Sequence, residues 1–139
     1  MKTKKLKPAC FVIELEVWEA DILVVGDIKV GELPKRLKKL EYKKDAIDRL
    51  LPIYQEFVEN EKQAALSVEM YKGNNRVHAI FFKNMEDSWE FWDYVIHEAN
   101  HKTLDIMTNK EATKEYEAMA FTQVTIIKKI RQTLSKKRL

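Results

Sequence analysis

The sequence predicts an α+β domain, and three observations carry the prediction. Residues Phe11 to Val17 and Leu66 to Phe82 alternate apolar and polar side chains at period two, the pattern of half-buried strands. Residues 45–62 place Ile47, Leu50, Leu51, Tyr54 and Val58 at helical spacing. Two further helical stretches, opened by cap-like residues at Asp87 and Thr108, close the chain. Strands, helices, strands and then two helices is an α+β order, with a short, mainly antiparallel or mixed sheet.

Taken in order, Phe11, Ile13, Leu15 and Val17 alternate with Val12, Glu14, Glu16 and Trp18 as a first strand. Ile22 to Val25, ending at Gly26-Asp27, reads as a second strand paired with the first across Glu19 to Asp21. Leu33 to Tyr42 is basic and fits a short helix, with Pro34 tolerated in its first turn. Asp45 to Lys62 is the firmer helix, which Pro52 is expected to kink or split. Leu66, Val68 and Met70, then Val77, Ala79 and Phe81, flank the turn signal Lys72-Gly73-Asn74-Asn75 as a β-hairpin. Asp87 with Glu90 forms a capping box for a helix running to about Met107, whose core stripe is Trp89, Trp92, Ile96, Ala99 and Ile106. Thr108 with Glu111 starts a last helix that reaches about Leu134.

A chain of 139 residues fits one domain, 1–139, large enough to fold around its own core. The basic termini, 1–8 and 135–139, are expected to be mobile. At 45% hydrophobic and 34% charged, the composition excludes a disordered or membrane-embedded class. The net charge of +3 is carried largely by the ends: Lys2, Lys4, Lys5 and Lys7, then Lys128, Lys129, Arg131, Lys136, Lys137 and Arg138. Solvated tails are the plain reading of that pattern. Nucleic acid ranks last among partners, because no basic recognition helix or aromatic RNA-binding signature is present. Cys10 stands alone, so no intrachain disulfide forms. No signal-peptide core or transmembrane stretch is visible; a membrane partner is not expected and a cytoplasmic location is.

The chemistry concentrates in His97-Glu98-Ala99-Asn100-His101. Histidines four apart on a helix project from one face, a turn apart, where both imidazoles reach one metal ion. Neutral imidazole suits zinc, and the intervening Glu98 stands where a general base is needed. A catalytic zinc usually takes three protein ligands, and Glu111, Glu115 and Glu117 follow downstream. If the last two helices form a tight hairpin turning near Thr108, Glu117 falls opposite Ala99, between the histidines. Glu111 falls opposite Asp105, beyond the site. Glu115 falls near His101 but points roughly 160° away from Glu117. Glu117 also shares a stripe with Ala120, Phe121 and Val124, and a carboxylate on an apolar stripe needs a metal or an ionic partner. Glu117 is therefore the expected third ligand, with Glu115 as its fallback.

With these residues in hand, the segment from about Ala64 to Ile130 resembles the zincin metallopeptidases of the gluzincin type. HEANH stands as the zinc helix, and Tyr116-Glu117-Ala118-Met119-Ala120-Phe121 is similar to the glutamate helix of small, compact members, including those encoded by phages and bacteria. The resemblance covers about half the chain. It implies a small zincin-like fold and a Zn2+ cofactor held by His97, His101 and Glu117. It implies hydrolysis of a peptide or protein substrate by a zinc-bound water that Glu98 activates. Larger gluzincins carry an aspartate where this chain has Phe121, so Asp105 or Asp93 is left to orient a histidine. The hairpin would lie near the cleft, with His78, Tyr71, Arg76 and Tyr116 as polar neighbours and an exposed strand histidine as the plainer reading of His78. An inactive, zinc-stabilised binding module is the alternative function.

Overall fold

The structure, a computed structural model, describes residues 4–72, 75–110 and 116–135, apart from the side chains of Val17, Lys72, Asn75 and Tyr116. Strand β1 (Ala9–Leu15) turns through a 3-10 segment (Glu16–Trp18) into β2 (Ala20–Gly26). Helices α1 (Leu33–Lys39) and α2 (Lys44–Glu59) follow, then β3 (Ala65–Lys72) and β4 (Asn75–Phe82). Helices α3 (Trp89–Asn109) and α4 (Tyr116–Ser135) finish the fold. It is α+β, with a four-stranded open sheet of order β1-β2-β4-β3. The pairs β1–β2 and β3–β4 are antiparallel and β2–β4 is parallel, so the sheet is mixed and β3 forms an edge. Among the described residues no helix is long and apolar enough to cross a membrane.

Alternation along the strands gives the sheet two covered faces. Leu23 and Val25 of β2, Val68 and Met70 of β3 and Phe81 of β4 pack with Leu33, Leu37, Leu50, Tyr54 and Phe57 of α1 and α2. Ile22, Val24, Ile80 and Phe82 face the other way, onto Phe91, Val95, Ala99 and Ile106 of α3 and Ile126, Ile130 and Leu134 of α4. One lost backbone hydrogen bond at Pro52 does not split α2, which runs unbroken past it. Burial of Ile47, Leu50, Tyr54 and Phe57 on either side holds the helix together. The basic start, expected to be mobile, is tied down from Lys4 onward: Leu6 is buried and its amide donates to Met85 O at 3.0 Å.

Two corrections bear on the site. Helix α3 is capped by Ser88, whose hydroxyl accepts from Phe91 N, while Asp87 accepts from the indole of Trp92 at 2.8 Å. Its core stripe is Phe91, Val95, Glu98, Ala99, Lys102 and Ile106, and the expected members Trp89 and Ile96 are exposed, Trp89 by 86%. In α4 the packed stripe is Thr122, Ile126, Ile130 and Leu134, whereas Glu117, Ala120, Phe121 and Val124 face outward. The reason is the second half of α4. Carried one turn on, the stripe of Phe121 and Val124 reaches the exposed Lys128, while the other stripe stays aliphatic to its end. Ile126→Ala is therefore expected to cost about 2–5 kcal/mol in urea unfolding, and Phe121→Ala no more than about 0.5 kcal/mol.

Candidate metal centre

The setting of α3 against the sheet decides what HEANH presents. With Phe91, Val95 and Lys102 turned inward, His97 and His101 are exposed. They lie on the opposite side of the helix, each ~160° from Ala99. Their Nε2 atoms converge to 3.0 Å, with ring centroids 4.5 Å apart. Two zinc–nitrogen bonds of ~2.0–2.1 Å at a tetrahedral angle span ~3.3 Å, so the pair is already close to the bite that one ion needs. Glu98 lies between this face and the core, only 7% exposed. Burial pushes its carboxyl above the ordinary range, against the opposing pull of His101, His97 and Lys102. The carboxylate makes no hydrogen bond to another described residue.

Glu117 does not join this group. Among the described residues, the only cluster of three or more metal-capable donors lies elsewhere, at Glu69, His78 and Asp105. Arg131 of α4 stands over the ring of Trp92, and Ile127 shares a groove with Ile96. The same offset along the antiparallel pair places Glu117 level with Ile106, ~10 Å along the axis from Ala99. Helix α3 runs on to Asn109, past Thr108, so the tight turn that would bring Glu117 opposite Ala99 is absent. Helix α4 also packs on the Trp92 and Ile96 side of α3, more than ~100° around the axis from either histidine. Glu111 and Glu115 lie outside the described residues, as does the side chain of Tyr116.

The residues that sequence reasoning missed are under α3. His78, read as an exposed strand histidine, is 5% exposed because β4 turns it toward the helix. Lys102 is completely buried. Its ammonium donates to Val68 O of the edge strand, lies 3.4 Å from His78 Nδ1 and 3.6 Å from Asp105. Arg76 binds Glu69 at 2.8 Å, and Tyr71 and Asn109 complete that end of the network. Glu69, His78 and Asp105 have donor atoms within 4.8 Å of one another. Arg76 and Lys102 already stand where a cation would, so the arrangement is an ion-pair network before it is a metal site. A cavity of about 920 Å³ opens at this end of the sheet, beside Asp21, Tyr42, Arg76 and His78. Neither His97, Glu98 nor His101 lines it.

Burial, reinforced by the Lys102 charge, lowers the His78 pKa from 6.5 to about 4. A folded-state pKa below the unfolded one means that stability is fully present above pH 6.5 and is lost as pH falls toward about 4. The loss is on the order of 3 kcal/mol. Chemical unfolding of wild type and His78→Asn between these limits checks it: the variant is expected to show a shallower fall.

No protein-family model matches the chain, and no curated protein or solved structure matches it either, so the site is characterised by its own residues alone.

Proposed function

We propose that the chain is a zinc-dependent peptide hydrolase of zincin-like fold, with His97 and His101 as ligands and Glu98 as general base. The observation that carries this reading is Glu98. The residue is only 7% exposed, its carboxylate meets solvent rather than a hydrogen-bonding side chain, and it is kept beside two converged imidazoles. The element order supports the same reading: an antiparallel edge strand, its neighbour and then the HEANH helix agree with the resemblance found in the sequence.

When bound, zinc supplies Lewis acidity to a carbonyl oxygen and makes water acidic enough to lose a proton near neutral pH. His97 and His101 would hold the ion through Nε2, on an exposed face that a polypeptide can approach. Glu98 accepts the proton of the attacking water and returns it to the leaving amine nitrogen. Its raised proton affinity suits both steps. Among the described residues no strand pairs with the outer edge of β3, whose backbone groups, apart from the Val68 carbonyl held by Lys102, would be offered to an extended peptide.

Elemental analysis with a peptide-library assay tests the proposal. The expected result is one zinc per chain, lost in His97→Ala. Glu98→Gln is expected to retain zinc and to lose hydrolysis by roughly a hundredfold or more. Equal cleavage by Glu98→Gln and wild type, each free of contaminating protease, would defeat the mechanism. Glu117→Ala separates two ways of completing the ligand set. Zinc loss as severe as in His97→Ala means that the first turn of α4 closes onto the pair when the ion binds. Unchanged zinc means that water and substrate fill the remaining positions.

A further inference from the structure

The cavity at the end of the sheet has two chemically opposite sides. In the pairing of β1 with β2, Glu14 stands opposite Asp21, so both side chains share one face. It is the face of Leu23 and Val25, covered by α1 and α2, and Tyr42 joins it from the segment between those helices. Glu14 and Asp21 are exposed in the cavity wall, and no described cation pairs with either. Arg76 and His78 alternate with Val77 along β4 and face the other way, toward α3. The ring of His78 is buried, and its Nδ1 lies 3.4 Å from the Lys102 ammonium. An ammonium has donors only, so Nδ1 accepts and the proton of the neutral ring sits on Nε2. That N–H has no partner among the described residues and is not sealed from solvent. With His78 in the cavity wall, it is aimed into the cavity. Arg76 holds Glu69, Tyr71 and Asn109 through Nη1 alone, which leaves its Nη2 and Nε hydrogens without a described partner. Lys110 adds a second cation at the end of α3.

We propose that this cavity binds a short zwitterion lying across the end of the sheet, its carboxylate on Arg76 and His78 and its ammonium on Glu14 and Asp21. Small free peptides are the class that fits. The side chains of each face reach about half of the ~10 Å that separates packed layers, so the two sides stand ~10 Å apart. A free α-amino acid, with its two charges one carbon apart, is too short to meet both. A tripeptide spans ~10 Å at ~3.3 Å per residue. The cavity volume of about 920 Å³ accommodates it. A plain anion would be repelled by the carboxylates, and a plain cation by Arg76 and Lys110, so both ends are needed. None of the proposed zinc residues lines the cavity, so the binding requires no metal and goes beyond the hydrolase reading.

The test uses the full chain, isotope-labelled and held metal-free with chelator so that nothing is cut. Trialanine, N-acetyl-trialanine and trialanine amide are titrated by NMR. Trialanine is expected to bind with a Kd of ~1 mM or tighter and to shift the amides of Asp21, Tyr42 and His78 rather than that of His97. Blocking either end is expected to weaken binding roughly tenfold. Asp21→Asn, in the exposed wall, is expected to cut the acetylation penalty to about twofold or threefold and to keep the amidation penalty. Arg76→Gln, its fold checked by the same spectrum, is expected to do the reverse. Equal affinity for the three ligands overturns the proposal. So do shifts confined to the histidine face of α3, or no saturation by trialanine at ~10 mM. An acetylation penalty that Asp21→Asn leaves intact overturns it as well. None of these results touches zinc content or cleavage by the zinc-loaded chain, so this inference and the hydrolase reading fail separately.

Discussion

The burial of the Lys102 ammonium beneath α3 is the constraint on which the arrangement of the site depends. Helix α3 carries two apolar rows, Phe91 and Val95 on one side and Trp89 and Ile96 on another, and either could face a sheet. The observed setting puts Lys102 inside, where an unpaired charge would cost several kcal/mol. Val68 O, the Nδ1 of a neutral His78 and the Asp105 carboxylate offset that cost together. With Lys102 held inward, geometry leaves no choice for its neighbours. His101 and His97 turn to the surface, and Glu98, one turn before Lys102, is largely buried.

The proposed ligands and the proposed base therefore arise from different levels of structure. The histidine pair is local, since four-residue spacing on any helix brings two imidazoles together. The proposed base is tertiary, since burial in the folded chain withdraws Glu98 from water and raises its proton affinity. The same ammonium that fixes the helix also opposes that rise.

Much of this architecture is legible in the sequence, and what is not has identifiable causes. Period-two alternation locates the hairpin to within a residue, whereas the first two strands are joined at Glu16 to Glu19 rather than at Glu19 to Asp21, because a 3-10 turn takes the end of the first alternation and Ala20 and Asp21 pair within β2. The parallel pairing of β2 with β4 leaves no local trace, because it joins segments far apart in the chain. The face of α3 misleads because its buried row contains Glu98 and Lys102, which a hydropathy pattern rejects. Lys102 becomes legible only when Val68, His78 and Asp105 are known to surround it. In α4 the pattern does carry the answer, but in Ile126, Ile130 and Leu134 rather than in the first turns. The placement of Glu117 depended on a tight turn at Thr108, and capping signals do not fix loop length.

The parallel pairing has a consequence for how the molecule reaches this state. The hairpin of β3 and β4 closes over a few residues, and β1 meets β2 across one short turn. The central seam, where Ile22 meets His78, must instead close a loop containing α1, α2 and β3. Contacts of such sequence separation are entropically late and slow a chain's folding. During synthesis the two strand pairs can form as separate units. The face of β4 that receives α3 is completed only when they join, so the buried lysine and the withdrawn carboxylate mature together at the last step of assembly.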